Sequence, residues 1–265
     1  MTISQIEISE PKYTADNLTM LTFHSSHLNA RQDVNVYYQP TSQNNLPIVI
    51  LLHGVYGSNW VWMNLGGVHQ VYDKLRQQGL NEFILVMPSD GGLWQGSAYL
   101  PLQEHGNYEQ WIMDDVLTAV QTHIPAASSQ SNIYITGLSM GGYGALRLGA
   151  KFASRFAGIS AHSSVTNLTD LQTFIDNPIA DYQCALPDED NILYWSKQNL
   201  AALPPIRFDC GKDDALFASN NTLSQQFDEL GVLHSYQVFD GGHQWQYWHE
   251  HVAKSLLFFD AIEQQ

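Results

Sequence analysis

Three residue types that together perform acyl transfer stand in a telling order along the chain. Ser139 lies in Gly137-Leu138-Ser139-Met140-Gly141, an aspartate pair follows at Asp213-Asp214, and His243 follows a glycine pair in FDGGHQWQYW. A serine hydroxyl is a poor nucleophile until a base takes its proton, and the base needs a carboxylate to fix its tautomer. The G-x-S-x-G spacing suits a strained turn that lifts the hydroxyl clear of the backbone, where side chains two residues away on either side would clash. NIYIT before it reads as a strand and YGALRLGAKF after it as a helix, the context in which such a turn forms a nucleophile elbow.

Four histidines lie beyond residue 200. His234 opens a strand pattern, and His249 and His251 fall within the last helical pattern. His243 alone sits on a glycine-freed loop after a strand, and it is the candidate base. For the acid, Asp209 lies inside the strand pattern of RFDCGKDDALF and is poorly placed. Asp213 and Asp214 both follow that strand, one of them suits a helix cap, and spacing leaves the pair open.

The reaction also needs backbone N–H donors for the oxyanion, each worth about 3 kcal/mol of barrier. The N–H of Met140, directly after the serine, is one candidate. The N–H of Val55 in LLHGVYGSNW is the other, since His53-Gly54 ends an apolar run and turns the chain there. The HG position of His53, ahead of the serine, gives its ring a structural role.

These residues need a frame that brings loops together. The first forty residues alternate in period two (IEIS, LTMLTFHS, VNVYYQP), as antiparallel strands do. PIVILLHG, EFILVMP, NIYITG, FAGISAHS and PIRFDCG are continuous apolar runs, the mark of strands covered on both faces, and HSYQVFDGG is a weaker version. Helical periodicity fills the intervals, at VYDKLRQQG and over residues 108–124, 140–152, 216–230 and 245–262. The chain therefore reads as one α/β domain over residues 1–265. It has a mostly parallel sheet, antiparallel N-terminal strands, helices on both faces, and ligands beyond the carboxyl ends of the strands. Residues 163–202 lack one clear period and read as an insertion of short helices and loops, either a pocket wall or a solvated connection. Trp94, Trp245 and Trp248 are candidate walls.

Composition narrows the partners. With 26 acidic against 11 basic residues the 265-residue chain carries a formal charge of −15, which disfavours nucleic acid and anionic membrane. No apolar run reaches the ~20 residues of a membrane span. The polar N-terminus does not resemble a signal peptide, and two cysteines are no disulfide framework, so a cytoplasmic location is expected. The expected partner is a small-molecule ester, with self-association left open, and neither cofactor nor metal is implied.

Taken together, LLHGVYGSNWVW, VMPSDGG, NYEQWIMDDV, ITGLSMGGYGALRLGAKF, CGKDDALF and GGHQWQYW resemble the esterase D family. This is the putative-esterase branch of the α/β hydrolases, with tributyrin-type carboxylesterases, S-formylglutathione hydrolases, feruloyl and acetyl esterases, and mycolyltransferases. The resemblance runs from about Leu51 to the C-terminus. It implies an α/β-hydrolase fold, Ser139 as nucleophile, His243 as base, and oxyanion donors at Val55 and Met140. Its G-x-x-D pattern, counted from Gly211, implies Asp214 as the acid.

The expectation is a serine carboxylesterase acting on small, short-acyl esters through an acyl-enzyme. A thioesterase or S-formylglutathione hydrolase is the nearest rival, although HGVYG stands where that group carries an SGLTC-type segment. Feruloyl or acetyl esterase, acyltransferase and a silent binding protein on the same fold are further alternatives.

Overall fold

The computed structural model describes residues 2–265. Among the described residues, nine strands form one sheet in the order β1-β2-β3-β5-β4-β6-β7-β8-β9. These are β1 (Ile3–Ile8), β2 (Leu18–Ser25), β3 (Ala30–Tyr37), β4 (Ile48–Leu52), β5 (Ile84–Pro88), β6 (Ile133–Gly137), β7 (Gly158–His162), β8 (Ile206–Gly211) and β9 (His234–Phe239). The alternating N-terminal segment forms an antiparallel meander, and β3 joins it antiparallel to β5. From β5 to β9 every pairing is parallel. The fold is that of the α/β hydrolases.

The continuous apolar runs are explained by where their side chains go. In β4, Ile48, Ile50 and Leu52 enter one core cluster, while Val49 and Leu51 enter the other on the opposite face. A strand buried on both faces has no polar register to keep. Helices α1 (Val68–Gln77) and α6 (Trp245–Glu263) pack together on the Val49 side, contributing Tyr72, Val252, Leu256 and Phe259. The other face receives α2 (Leu117–His123), α3 (Met140–Lys151) and α5 (Phe217–Leu230), through Val120, Leu148 and Phe227 among others.

The helix expected over 108–124 is not uniform. Tyr108–Gln110 is α-helical, Trp111–Val116 widens into a π-helical turn, and α2 continues from Leu117. Residues 163–202 hold short helices at Leu168–Leu171 and Ile179–Asp181, then α4 (Ile192–Gln198). Arg147, fully buried on α3, ties this segment down by donating to the Glu189 and Tyr99 carbonyls, and it pairs with Glu109. No helix among the described residues is long and apolar enough to cross a membrane.

The site follows from topology. The chain leaves β4 toward β5 on one side, and leaves β6 toward β7 on the other. A crevice therefore opens beyond the carboxyl ends of β4 and β6, where such sheets bind ligands. Leu52 pairs with Gly137 in register, so His53-Gly54-Val55 and Leu138-Ser139-Met140 emerge side by side.

Candidate active site

Ser139 sits at φ 55° and ψ −122°, a left-handed conformation that a non-glycine residue holds only under strain. The glycines around it make room for backbone. A Cβ on Gly137 would lie 2.2 Å from the Gly141 carbonyl oxygen, and one on Gly141 would lie 2.2 Å from that of Leu52. The turn is therefore pressed against the end of β4. Its backbone is pinned on the far side too, where the Ser139 N–H donates to the His162 carbonyl at 3.0 Å. Ser139 then caps the N-terminus of α3, whose dipole favours negative charge near its first N–H groups.

Three side chains converge there from three loops. His243 Nε2 lies 2.9 Å from Ser139 Oγ, and His243 Nδ1 lies 3.0 Å from each oxygen of Asp214. Asp214 is buried, and one of its oxygens also accepts the Leu216 N–H at 2.9 Å. Burial works to raise the Asp214 pKa, but the hydrogen bond and charge of His243 and the Leu216 N–H outweigh it, and the net shift is downward. Such a carboxylate stays charged and orients the imidazole. Of the two aspartates that spacing left open, Asp213 is exposed, with its N–H bonded to the Gly241 carbonyl, and Asp214 is the one that meets His243.

The loops carrying the two amides expected to hold an oxyanion lie side by side. Neither the Val55 nor the Met140 N–H has a hydrogen-bond partner among the described residues. Their side chains meet at Gly96, where a Cβ would lie 2.4 Å from Met140 Sδ and 3.2 Å from Val55 Cγ1. Gly54 backs Ser139, since a Cβ there would lie 3.1 Å from Ser139 Cβ. The His53 ring is buried beneath this loop, with Nδ1 donating to the Gly54 carbonyl at 2.7 Å.

The other candidate histidines are occupied elsewhere. His249 bonds the Gly66 carbonyl, His234 bonds Ser224, and His251 stacks on Phe239. Asp209 is buried in a cluster with His162, Arg207 and Tyr247 below the elbow. Among the described residues, His27, Asp114 and Asp115 bring donor atoms within 4.8 Å of one another, and His27 Nε2 stands 3.2 Å from Asp114 Oδ2, the spacing of an ion pair. That group lies on β2's loop and the π-helical turn, away from Ser139.

A cavity of about 370 Å³ opens on Ser139, lined by Val55, Tyr56, Val61, Phe174, Trp245 and Trp248 among others. Trp245 and Trp248 thus stand where the sequence put them. Trp94 does not: it packs against Tyr182 and His105 outside the cavity. Sequence reasoning did not single out Tyr56 or Phe174. Phe174 belongs to the aperiodic segment, and its ring stacks on His243 with centroids 4.7 Å apart and planes 20° apart.

Geometry of this kind can activate a hydroxyl for attack on a carbonyl. Comparison with known proteins points the same way. A family model described as "Putative esterase" matches residues 25–259. The chain is similar to an acetyl esterase of Caldicellulosiruptor saccharolyticus, 27% identical over 243 residues, covering 85% of this chain and 88% of that one. Among solved structures, a ferulic acid esterase aligns with TM-score 0.79 and 27% identity, covering 92% of this chain and 98% of its own. The fluorophosphonate-binding serine hydrolase F of Staphylococcus aureus aligns with TM-score 0.79 at 20% identity, covering 91% and 97% of the two chains.

Proposed function

The chain belongs to this esterase family and is a serine carboxylic ester hydrolase, and from that premise we propose that it cleaves small, short-acyl esters through Ser139, His243 and Asp214. His243 Nε2 takes the Ser139 proton as Oγ attacks the ester carbonyl. The Val55 and Met140 N–H groups hold the oxyanion. The imidazolium passes its proton to the leaving alkoxide, which departs as the alcohol and leaves an acyl-Ser139. His243 then deprotonates a water molecule that attacks the acyl carbon, and the returning proton restores Ser139 as the acid leaves. Asp214 fixes the tautomer and stabilises the imidazolium throughout.

The observation that carries the reading is the unbroken contact chain from Ser139 Oγ through His243 to Asp214, with two unpaired amides beside it. The modest cavity supports a small substrate. A second reading, an aryl-bearing ester, is favoured by the aromatic walls Phe174, Trp245 and Trp248 and by the ferulic acid esterase likeness. Cys184 and Cys210 are both unpaired, which suits a reducing, cytoplasmic setting.

The test is kinetic. Wild-type enzyme should favour p-nitrophenyl acetate over the octanoate, and Ser139→Ala should abolish turnover of both. Undiminished hydrolysis by Ser139→Ala would sink the assignment.

A further inference from the structure

The segment 163–202 contributes one side chain to the reacting centre. Phe174 covers one face of the His243 imidazole, while Trp248 meets the same ring edge-on, with centroids 5.0 Å apart and planes at 89°. Phe174 also lines the cavity on Ser139. Its position is held by ties to two other loops. The Tyr56 hydroxyl donates to the Phe174 carbonyl. Gln95 Nε2 donates to Asp176 Oδ2 at 2.6 Å, and the Asp176 N–H returns a bond to Gln95 Oε1 at 2.6 Å. Gln95 and Tyr56 are themselves joined, since the Tyr56 N–H donates to the Gln95 carbonyl at 2.8 Å. Residues 174–176 thus form a strap fastened across the site. Tyr56 holds a left-handed φ of 61°, and the residue is 68% exposed while its hydroxyl reaches the strap.

The chemistry gives the strap a side. During acylation the leaving oxygen must sit within hydrogen-bond reach of His243 Nε2, because that nitrogen protonates it. Groups packed on the imidazole therefore border the alcohol portion of the ester, opposite the Val55 and Met140 amides. We propose that Phe174 is a specificity-determining residue that limits the size of the alcohol group, with the Tyr56 and Gln95 ties holding its ring in place. The inference rests on the triad reading above. A small or flat alcohol slides between Phe174 and Trp248, whereas a long alkyl alcohol meets the Phe174 ring before its oxygen reaches Nε2.

Acetates of graded alcohols test this, with methyl and n-octyl acetate followed by pH-stat in wild type, Phe174→Ala and Tyr56→Phe. Room for additional methylenes in an apolar pocket is worth about tenfold or more in kcat/KM. Phe174→Ala should therefore raise the octyl-to-methyl ratio by at least about tenfold, while the octanoate-to-acetate ratio of p-nitrophenyl esters stays at its wild-type value. Tyr56→Phe removes only the tie and leaves an exposed ring, so it should fold normally and shift the alcohol ratio the same way by a smaller factor.

An unchanged alcohol ratio in Phe174→Ala, or an equal loss on every ester, would overturn the proposal, as would a response confined to the acyl series. If Ser139→Ala is inactive while Phe174→Ala keeps the wild-type alcohol ratio, the strap inference fails alone. If Ser139→Ala still turns over, the triad reading itself has failed.

Discussion

The N–H of Ser139 donates to the carbonyl of His162 at 3.0 Å, so the backbone of the elbow hangs from strand β7. The His162 ring is in turn held by Asp209 at 2.9 Å and by Ser255 Oγ at 2.6 Å. Asp209 also accepts the Tyr247 hydroxyl at 2.8 Å, at the start of the helix that follows the His243 loop. One buried carboxylate therefore supports the elbow and the histidine loop together.

Removing it should cost stability. Burial works to raise the Asp209 pKa, but His162 and Arg207 overcome it, and the carboxyl is held far below its ordinary value. Asp209→Ala leaves Arg207, itself buried, without its partner. Breaking a buried pair in this way costs about 3–5 kcal/mol. A clear drop in melting temperature is expected, and calorimetry on the purified variant checks it.

Gly54 sets the distance between the Val55 loop and Ser139. A Cβ there meets Leu138 Cδ1 at 3.0 Å and Ser139 Cβ at 3.1 Å, both on a turn with little freedom to yield. Gly54→Ala should displace Ser139 relative to the Val55 and Met140 amides. Misplacement of this order costs up to about 100-fold in rate. Steady-state kinetics should show kcat falling while KM changes little.

Acid sensitivity follows from Asp214. Its folded pKa lies below the ordinary carboxylate value of about 3.9. The stabilisation is then complete above the unfolded pKa and is lost as pH falls through the folded one. Melting temperature should fall steadily below about pH 5, and Asp214→Asn should show a shallower acid slope. The same variant presents His243 in the wrong tautomer, and its kcat should drop by about 10⁴-fold, the cost of that defect in a triad of this type.

Much of this was legible in the sequence because burial leaves a mark. β4, β5, β6, β7 and β8 are two-sided core strands and read as unbroken apolar runs. Ser139 and His243 were legible because glycine spacing signals the turns they need. Asp214 was separated from Asp213 only by family resemblance, since adjacent residues on a loop face different ways for reasons spacing does not carry. The rest depends on contacts between distant segments. The side of β4 on which β5 lies, the π-helical turn at Trp111–Val116, and the Asp209–His162–Ser255 support all arise from tertiary packing. Phe174 sits in a stretch with no periodicity, and Tyr56, Gln95 and Asp176 lie 118 and 81 residues from the partners that fix the strap.

If Ser139 is the activated nucleophile, it should be the residue that an electrophile captures covalently. Treating the folded protein with a fluorophosphonate and mapping the adduct by peptide mass spectrometry tests it most directly. One phosphonyl group is expected, on the peptide carrying Ser139, with no labelling of Ser139→Ala. Labelling of that variant at the wild-type rate, or an unlabelled wild type that still hydrolyses esters, would contradict the account.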